Sequence, residues 1–325
     1  MNRRNLLGCL ATLVPTSTWL GAKAQDAAFP SKPIRIVAGS GAGTLIDQAA
    51  RVYADRMSAH LKQTVVVENV AGAASLLAIR QVQKAPADGY TLLVVANTLV
   101  TVPHLNAKAG YAVKDFAAVG EMVRSPVILV TSGSSPFKSV ADIVAAAKKA
   151  PGQVSFGSSG VGTTNHLPVE MLAQQAGVSF THLPYKGIAA AVPDVAAGRV
   201  SFLMAAATSV AELIRSGVLR PLAISADKRS KRFPDVPTLK ELGYPGATFE
   251  LWIGAVVPAA TPSAVKARLG EAMEAARANP EVQARFEALG QEISAIRSPE
   301  QFEAVLRSDE EKLAALIKAA GIVAD

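Results

Sequence analysis

Apolar and polar positions along this chain fall into two patterns, short apolar runs and helical repeats. Nine apolar runs bounded by turn residues predict β-strands at residues 34–38, 64–67, 90–95, 127–131, 154–156, 180–183, 201–205, 219–225 and 249–257. Helical patterns lie between most of them. In one of these, apolar residues recur every three or four positions at Ile46, Ala50, Tyr53, Met57 and Leu61. Buried strands that alternate with helices predict an α/β fold with parallel sheets covered on both faces.

Capping residues mark the predicted helix starts. Capping boxes are predicted at Thr44-x-x-Asp47, Ser139-x-x-Asp142, Thr238-x-x-Glu241 and Ser298-x-x-Gln301. Pro262 and Pro280 are predicted at the first position of two further helices.

So many strands predict two lobes rather than one sheet. We place one crossover near residues 121–127 and the return near residues 247–253. The lobes would then be 26–123 plus 254–325, and 124–253, with a cleft between them and a hinge of two crossing segments. The helical pattern at 301–320 should pack on the first lobe.

The first 24 residues have the pattern of a secretory signal peptide. Arg3 and Arg4 precede a short apolar stretch, and Ala22-Lys23-Ala24 is a small-x-small cleavage site. Arg3-Arg4 also leaves a twin-arginine signal open. No later apolar run is long enough to cross a membrane. We therefore expect a soluble mature chain in the periplasm.

Composition narrows the class of protein further. Apolar residues make up 50% and charged residues 18%, which excludes a disordered chain. Cys9, the only cysteine, lies within the signal, so no disulfide partner is expected. Removing Arg3, Arg4 and Lys23 from 33 basic residues leaves 30 against 26 acidic ones, or +4. The one basic cluster, at 228–232, is read as a solvated loop, so no nucleic-acid partner is expected.

A glycine-rich loop directly after the first strand is the first candidate site. Its small residues would let N–H groups at a helix N-terminus approach an anion; the candidates are Ser40, Gly41, Ala42, Gly43 and Thr44. Asp47 either completes the cap or contacts the ligand. Read as a dinucleotide fingerprint, with Glu68 as the acid, the loop has its third glycine one position early.

A second glycine-rich loop repeats the arrangement in the other lobe. Its candidates are Ser158, Ser159, Gly162, Thr163 and Thr164. It lacks the pattern of a nucleophile elbow, and no His/Asp pairing is suggested for either serine. His166 could face the cleft. The four histidines lack metal spacing, and Trp252 is read as core or hinge packing, with ligand stacking as the alternative.

Several segments resemble the tripartite tricarboxylate transporter substrate-binding receptors, also called the Bug family. They are 30–35 (PSKPIR), 65–69 (VVVEN), 87–93 (ADGYTLL), 114–116 (KDF), 158–163 (SSGVGT), 182–187 (HLPYKG), 235–238 (DVPT) and 318–322 (KAAGI). The resemblance covers the whole mature chain and implies a Venus-flytrap receptor, a two-lobed periplasmic-binding-protein-like fold. It also implies that both loops bind a small carboxylate, with Tyr185 and Ala205 at the site. Where many relatives carry Asp-Asn, this chain has Ala205-Ala206, which predicts a less polar wall.

These observations favour a monomeric, non-enzymatic periplasmic receptor that delivers a small carboxylate to membrane transporter subunits, without a metal or cofactor. Two alternatives stay open at this point. One is an exported nicotinamide-dependent oxidoreductase, and the other is a sensor that signals to a partner protein. A bulky side chain at Gly41 or Gly162 should block ligand approach under the favoured interpretation.

Overall fold

The computed structural model describes residues 29–289 and 291–322; the predicted signal peptide lies outside them. The strands are β1 (Ile34–Ala38), β2 (Val65–Asn69), β3 (Thr91–Ala96), β4 (Phe116–Ser132), β5 (Ser155–Ser158), β6 (Thr181–Pro184), β7 (Phe202–Ala206), β8 (Leu219–Ser225), β9 (Glu250–Pro258) and β10 (Glu292–Ile293). The helices are α1 (Leu45–Leu61), α2 (Leu76–Gln83), α3 (Thr98–Leu105), α4 (Val140–Lys149), α5 (Leu167–Ala176), α6 (Ile188–Ala196), α7 (Ala207–Arg215), α8 (Ser263–Ala278), α9 (Pro280–Ala288) and α10 (Pro299–Ala320).

The strands form two sheets that share the long strand β4. In the first lobe the order is β2-β1-β3-β9-β4, and β10 pairs with the other edge of β4. In the second lobe β4 lies between β8 and β7, followed by β5 and β6. Strands β2, β1 and β3 pair in parallel, as do β7, β5 and β6, whereas β4 is antiparallel to β7, β8, β9 and β10, and β9 is antiparallel to β3. The predicted two-lobed α/β fold is confirmed.

The strand directions make the loops of the two lobes face one another. Strand β4 is antiparallel to β9, which is antiparallel to β3, so β1 and β3 run with β4 towards the second lobe. Strand β7 is antiparallel to β4 and parallel to β5, so both run back towards the first lobe. The carboxyl ends of both sets therefore point at the level where β4 changes neighbours, between Pro126 and Val127.

Helices cover both faces of each sheet in three apolar clusters. One cluster lies between the first sheet and α1, α8 and α9, and another between the second sheet and α6 and α7. The third is continuous through both lobes and includes Leu99, Phe156, Trp252 and Phe302. Helix α10 contacts β4 and α3, as predicted for the first lobe, but it also reaches α5 of the second lobe.

The predicted local signals are confirmed in part: Thr44 and Ser298 cap α1 and α10, but the side chains of Asp47 and Gln301 bind Gly43 N and Arg297 N instead of completing the boxes. Ser139 and Asp142 form the reciprocal capping box, and Pro280 is the first residue of α9. Pro262, however, is the cap residue of α8 rather than its first helical residue. Thr238 and Glu241 exchange both capping hydrogen bonds, but they close a turn and no helix follows. No helix within 29–289 and 291–322 combines the length and apolar character needed to cross a membrane.

Candidate functional site

The first-lobe loop, residues 39–44, connects β1 to α1 and is organised by Asp47. The Asp47 carboxylate is buried and accepts hydrogen bonds from Gly43 N at 2.8 Å, Asn69 Nδ2 at 2.9 Å and Arg51 Nε at 2.9 Å. Burial alone would raise the pKa of Asp47, but these hydrogen bonds and the charge of Arg51 outweigh it and lower that pKa. Asp47 therefore holds the loop as an ionised carboxylate.

The helix start leaves main-chain donors available in this loop. Thr44 Oγ1 caps α1 by accepting from Asp47 N at 3.4 Å, while the Asp47 side chain binds Gly43 rather than returning to Thr44. In the described part of the chain, no acceptor lies within hydrogen-bonding distance of the N–H groups of Gly41, Ala42 and Thr44. These groups lie at the positive end of a 17-residue helix, where an anion is favoured.

Two neighbouring loops support the first-lobe loop from behind. Ser75 Oγ donates to Gly39 O at 2.7 Å, and Thr98 Oγ1 donates to Ser75 Oγ at 3.3 Å. A Cβ at Gly39 would lie 2.9 Å from Ser75 Cβ, so the close approach needs glycine. Ala73, Ala74 and Ser75 all have positive φ (46°, 52° and 71°), a conformation that L-residues adopt at an energetic cost. Sequence reasoning missed this support because it depends on contacts between loops.

The second-lobe loop, residues 158–166, connects β5 to α5 and bonds mostly within itself. Ser159 Oγ donates to Asn165 Oδ1 at 2.7 Å, and Thr163 Oγ1 donates to Gly160 O at 2.8 Å. Gly160 N donates to Ser158 Oγ at 3.0 Å. Asn165 Nδ2 reaches Met204 O at 2.9 Å, which fastens the loop to β7. The predicted residues are thus together in one tight turn, and several of their polar groups already have protein partners.

Ser158 has a histidine partner, contrary to the sequence prediction that neither serine pairs with one. Its Oγ lies 2.5 Å from His182 Nε2, because the parallel strands β5 and β6 place the two residues near each other. Ser158 is fully buried, however, and its hydroxyl also contacts the Gly160 N–H. A nucleophile must reach its substrate, so the pair has the geometry of a structural hydrogen bond.

His166 lies beneath the loop rather than in the cleft. It is buried, packs against His182 with ring centroids 4.2 Å apart and planes tilted by 38°, and accepts the Gly162 N–H through Nδ1 at 3.2 Å. Its Nε2 lies 3.5 Å from Glu170 Oε1. Burial, and secondly the neighbouring His182, lower the pKa of His166 to about 4. Neutral His166 is therefore the form that orients Gly162.

We expect stability to fall as the pH drops from 6.5 to 4, because the folded protein disfavours protonated His166. In that window the unfolded chain, with an ordinary histidine pKa of 6.5, binds more protons than the folded chain. A pKa shift of this size corresponds to about 3 kcal/mol in the free energy of unfolding. This stability is fully present above pH 6.5 and is lost by pH 4. Urea unfolding of wild type and His166→Gln across this range measures it.

The His166→Gln comparison isolates the histidine from its neighbours. Burial also lowers the pKa of His182, which adds to the effect, whereas burial raises the pKa of Glu170, which opposes it. Both groups remain in His166→Gln. If the free energy of unfolding changed equally with pH in wild type and in the variant, His166 would titrate in the folded protein as it does in the unfolded chain.

The side chains of Tyr185 and Ala205 lie away from the two loops, although Tyr185 N donates to Ser158 O of the second-lobe loop at 2.9 Å. The Tyr185 hydroxyl donates to Asp194 Oδ2 at 2.6 Å, and its ring packs on the apolar cluster under α6 and α7. Ala205 is fully buried in the same cluster, so its side chain does not reach the cleft surface. Ala206, which ends β7 beside Val127, is the partly exposed member of the alanine pair.

The two strands that cross between the lobes, β4 and β9, carry a largely buried polar network. Arg124 on β4 forms ion pairs with Glu121 at 2.6 Å and Glu250 at 3.1 Å. Trp252, on β9, is fully buried and donates from Nε1 to Asp309 Oδ2 at 2.7 Å, which confirms the predicted core packing. Burial raises the pKa values of Glu250 and Asp309 against the opposing effects of Arg124 and other partners.

The lobes also contact each other away from the crossing strands β4 and β9. Gly162 of the second-lobe loop packs so closely on Leu105 of α3 that a Cβ at Gly162 would lie 2.0 Å from Leu105 Cδ1. On the other side of β4, Gln291 Nε2 donates to Thr208 Oγ1 at 3.2 Å, and Ser230 Oγ donates to Glu292 Oε1 at 3.1 Å. Among the described residues, no group of three or more His, Cys, Asp or Glu side chains is placed to hold a metal ion.

Comparisons with known proteins agree with this architecture. The family model described as "Tripartite tricarboxylate transporter family receptor" matches residues 49–322. A UPF0065 protein in the tcbD-tcbE intergenic region of Pseudomonas sp. (strain P51) is 34% identical over 319 residues, 98% of this chain and 94% of that protein.

Two solved structures are similar along nearly their whole length. The periplasmic binding protein BugD is 32% identical with a TM-score of 0.72, covering 91% of this chain and 99% of that one. Rpa4515 of R. palustris, solved with adipate, is 30% identical with a TM-score of 0.74, covering 91% and 99%. Together with the family match over most of its length, these likenesses show that the chain belongs to the tripartite tricarboxylate transporter receptor family.

Proposed function

We propose that this receptor binds a small carboxylate between its lobes and delivers it unchanged to a membrane transporter. The observation that carries the proposal is the first-lobe loop, where the Gly41, Ala42 and Thr44 N–H groups lie without acceptors in the described part of the chain at the start of α1. A site of micromolar affinity needs a binding free energy of about 8 kcal/mol. Three charge-assisted hydrogen bonds of roughly 1.5–3 kcal/mol each would supply much of it. The adipate bound by a 30% identical relative supports the ligand class.

The contacts of Glu68 and Ser158 disfavour the enzymatic alternatives. A dinucleotide site would need Glu68 for the ribose, but its carboxylate accepts from Arg35 at 3.1 Å and from Gln81 at 3.3 Å. A hydrolase would need an accessible serine, and Ser158 is fully buried. We therefore propose binding without turnover; a sensor role would use the same cleft.

We also propose that the lobes close about the hinge as predicted, with one correction to their limits. The sequence placed the second lobe at 124–253. The exchange of strand neighbours at Pro126–Val127, and the pairing of Glu250 with Pro126, support 127–249 instead. The ligand would lie at that level, between the loops.

Export to the periplasm and function as a monomer complete the proposal. We expect the mature chain to begin at or near Gln25, and N-terminal sequencing of the periplasmic form tests this. A mature protein that retains Cys9 would contradict the assignment.

Gly41→Val tests the site without disturbing the fold. A Cβ at Gly41 would meet no atom within 4 Å, and its φ is not in the left-handed region, so the variant should unfold like wild type. Its side chain would cover the Gly41 and Ala42 amides. Carboxylates should raise the melting temperature of wild type by mass action, and of Gly41→Val hardly at all. Equal shifts in the two proteins, or chemical conversion of the carboxylate, would refute the proposal.

A further inference from the structure

The two glycine-rich loops hold one glycine in the same way. Gly43 and Gly162 both have positive φ, +79° and +73°. In each loop the N–H group of this glycine donates to a buried side chain four residues later, which is Asp47 at 2.8 Å in the first lobe and His166 at 3.2 Å in the second. Equivalent positions of the two lobes therefore carry a carboxylate and an imidazole.

The threonine after each glycine repeats the equivalence. Thr44 Oγ1 donates to Gly41 O at 2.9 Å, and Thr163 Oγ1 donates to Gly160 O at 2.8 Å, in each case three residues back. These contacts fix the backbone of loops that keep N–H groups without an acceptor among the described residues. The groups belong to Gly41, Ala42 and Thr44 in the first lobe and to Ser159, Val161, Thr164 and Asn165 in the second.

A second side chain, four residues further along each helix, contacts the buried acceptor. Arg51 Nε donates to Asp47 Oδ1 at 2.9 Å in α1, and Glu170 Oε1 lies 3.5 Å from His166 Nε2 in α5. The two pairs are reversed in charge but occupy equivalent places. Both lobes therefore position the loop glycine through a chain of two side chains that start from the following helix.

In the first lobe the second side chain cancels a charge that would oppose the ligand. The Asp47 carboxylate binds the N–H group of Gly43, the residue between Ala42 and Thr44, whose own N–H groups are free among the described residues. An uncompensated carboxylate there would repel an anion at these groups. Arg51 supplies the opposite charge at Oδ1, which leaves Oδ2 for Gly43.

In the second lobe the second side chain fixes a proton. The hydrogen bond from Gly162 N requires an unprotonated Nδ1 on His166, so the neutral ring carries its proton on Nε2, which faces Glu170. Burial and the adjacent His182, whose ring centroid is 4.2 Å away, oppose a second proton on His166. Glu170 therefore favours the tautomer in which His166 accepts from Gly162.

We infer that Arg51 and Glu170 are positioning residues for carboxylate binding, Arg51 by neutralising Asp47 and Glu170 by fixing the proton of His166. This inference rests on the proposed function and makes it more specific, because it names the side chains that keep each loop able to receive an anion. Neither residue has to touch the ligand for this role.

Substitutions of Arg51 separate its charge from its packing. The probe is whichever of adipate, succinate and hexanoate binds wild type most tightly in titration calorimetry at pH 7. Arg51→Met should weaken binding of the probe at least about tenfold. It should also raise the pKa of Asp47, measured by NMR of the carboxyl carbon, because Arg51 lowers that pKa in wild type. Arg51→Lys keeps the positive charge and should bind within about threefold of wild type.

Arg56→Met is the matched control for Arg51. Arg56 lies in the same helix but pairs with Glu281, so its loss should change neither binding nor the pKa of Asp47. Equal binding by wild type and Arg51→Met would overturn the role of Arg51. Equal losses in Arg51→Lys and Arg51→Met would show that neutralisation of Asp47 is not what matters, which would also overturn it.

Substitutions of Glu170 test the second lobe with the same probe. Glu170→Leu should weaken binding about fivefold, as the loss of one hydrogen bond would. In nitrogen NMR of the His166 ring it should raise the population protonated at Nδ1. Glu170→Gln keeps an acceptor oxygen and should restore both properties, and Gln174→Leu, an exposed control one turn later in α5, should change neither. A wild-type ring protonated at Nδ1, or unchanged binding by Glu170→Leu, would overturn the role of Glu170.

These outcomes separate the inference from the proposed function. If wild type bound neither adipate, succinate nor hexanoate, the proposed function itself would be wrong. If wild type bound the probe, and Arg51→Met and Glu170→Leu bound it equally well, only the inference would be wrong.

Discussion

Asp47→Ala is expected to lower the free energy of unfolding by about 3 kcal/mol and to remove carboxylate binding. A cap residue alone would contribute about 1 kcal/mol. The structure adds three hydrogen bonds to a buried carboxylate, from Gly43, Asn69 and Arg51; Gly43 N and Arg51 Nε would lose their partner, while Asn69 Nδ2 would keep only Ser40 O. Without the bond to Gly43, the loop amides would no longer be fixed for the ligand. Urea unfolding and titration calorimetry measure the two effects.

Two further substitutions make the Asp47 result specific. Asp55→Ala removes an exposed acid two turns later in α1 and should change stability by less than about 0.5 kcal/mol. Asp47→Asn keeps one acceptor oxygen but turns an amide towards the remaining donors, so it should fall between wild type and Asp47→Ala. If Asp47→Ala lost only about 1 kcal/mol and bound normally, Asp47 would be a simple cap.

Gly162→Val is expected to lower the free energy of unfolding by about 4 kcal/mol. Gly162 has φ +73°, which strains a β-branched residue, and its Cβ would lie 2.0 Å from Leu105 Cδ1. The sequence suggested that bulk here would block the ligand; the structure instead directs the new side chain into the contact between lobes. Urea unfolding at neutral pH measures the loss.

Gly177→Val is the matched control for the contact between lobes. Gly177 also has positive φ, +63°, but a Cβ there would meet no atom within 4 Å. The difference between the two variants, about 2 kcal/mol, is the part due to Leu105. Leu105→Ala should recover part of it in the double variant. If both glycine variants lose the same stability, the contact with Leu105 contributes nothing.

The apolar pattern predicted the fold because strands and helices leave different periodicities. Each of the nine predicted strands has a counterpart, and Ala50, Tyr53, Met57 and Leu61 form the buried face of α1. The pattern missed residues 116–126 of β4. Gly120 lies where the β4–β9 register shifts, and Arg124 and Pro126 interrupt the apolar run. Arg124 is half-buried between Glu121 and Glu250, and Glu250 is 126 residues away in the sequence.

The positions of the two glycine-rich loops between strand and helix were predictable from the sequence, but their hydrogen bonds were not. Glycine-rich turns after strands marked both loops, because such turns let a backbone approach an anion. Which N–H groups remain free depends on how each loop folds back on itself, because Gly162 N donates to His166 and Gly43 N donates to Asp47, in each case four residues later. Among the described residues, both loops keep N–H groups that make no hydrogen bond, at Gly41, Ala42 and Thr44 in the first loop and at Ser159, Val161, Thr164 and Asn165 in the second.

Small-angle scattering tests the proposed binding between the lobes most directly. The radius of gyration would be measured with and without a carboxylate, at a concentration that calorimetry shows to saturate wild type. The same concentration would be used for Gly41→Val. We expect the radius of gyration of wild type to fall when ligand is added, because closure about β4 and β9 would bring the loops together. The radius of gyration of Gly41→Val should not change. An unchanged radius in wild type at saturation would contradict a ligand held between closing lobes.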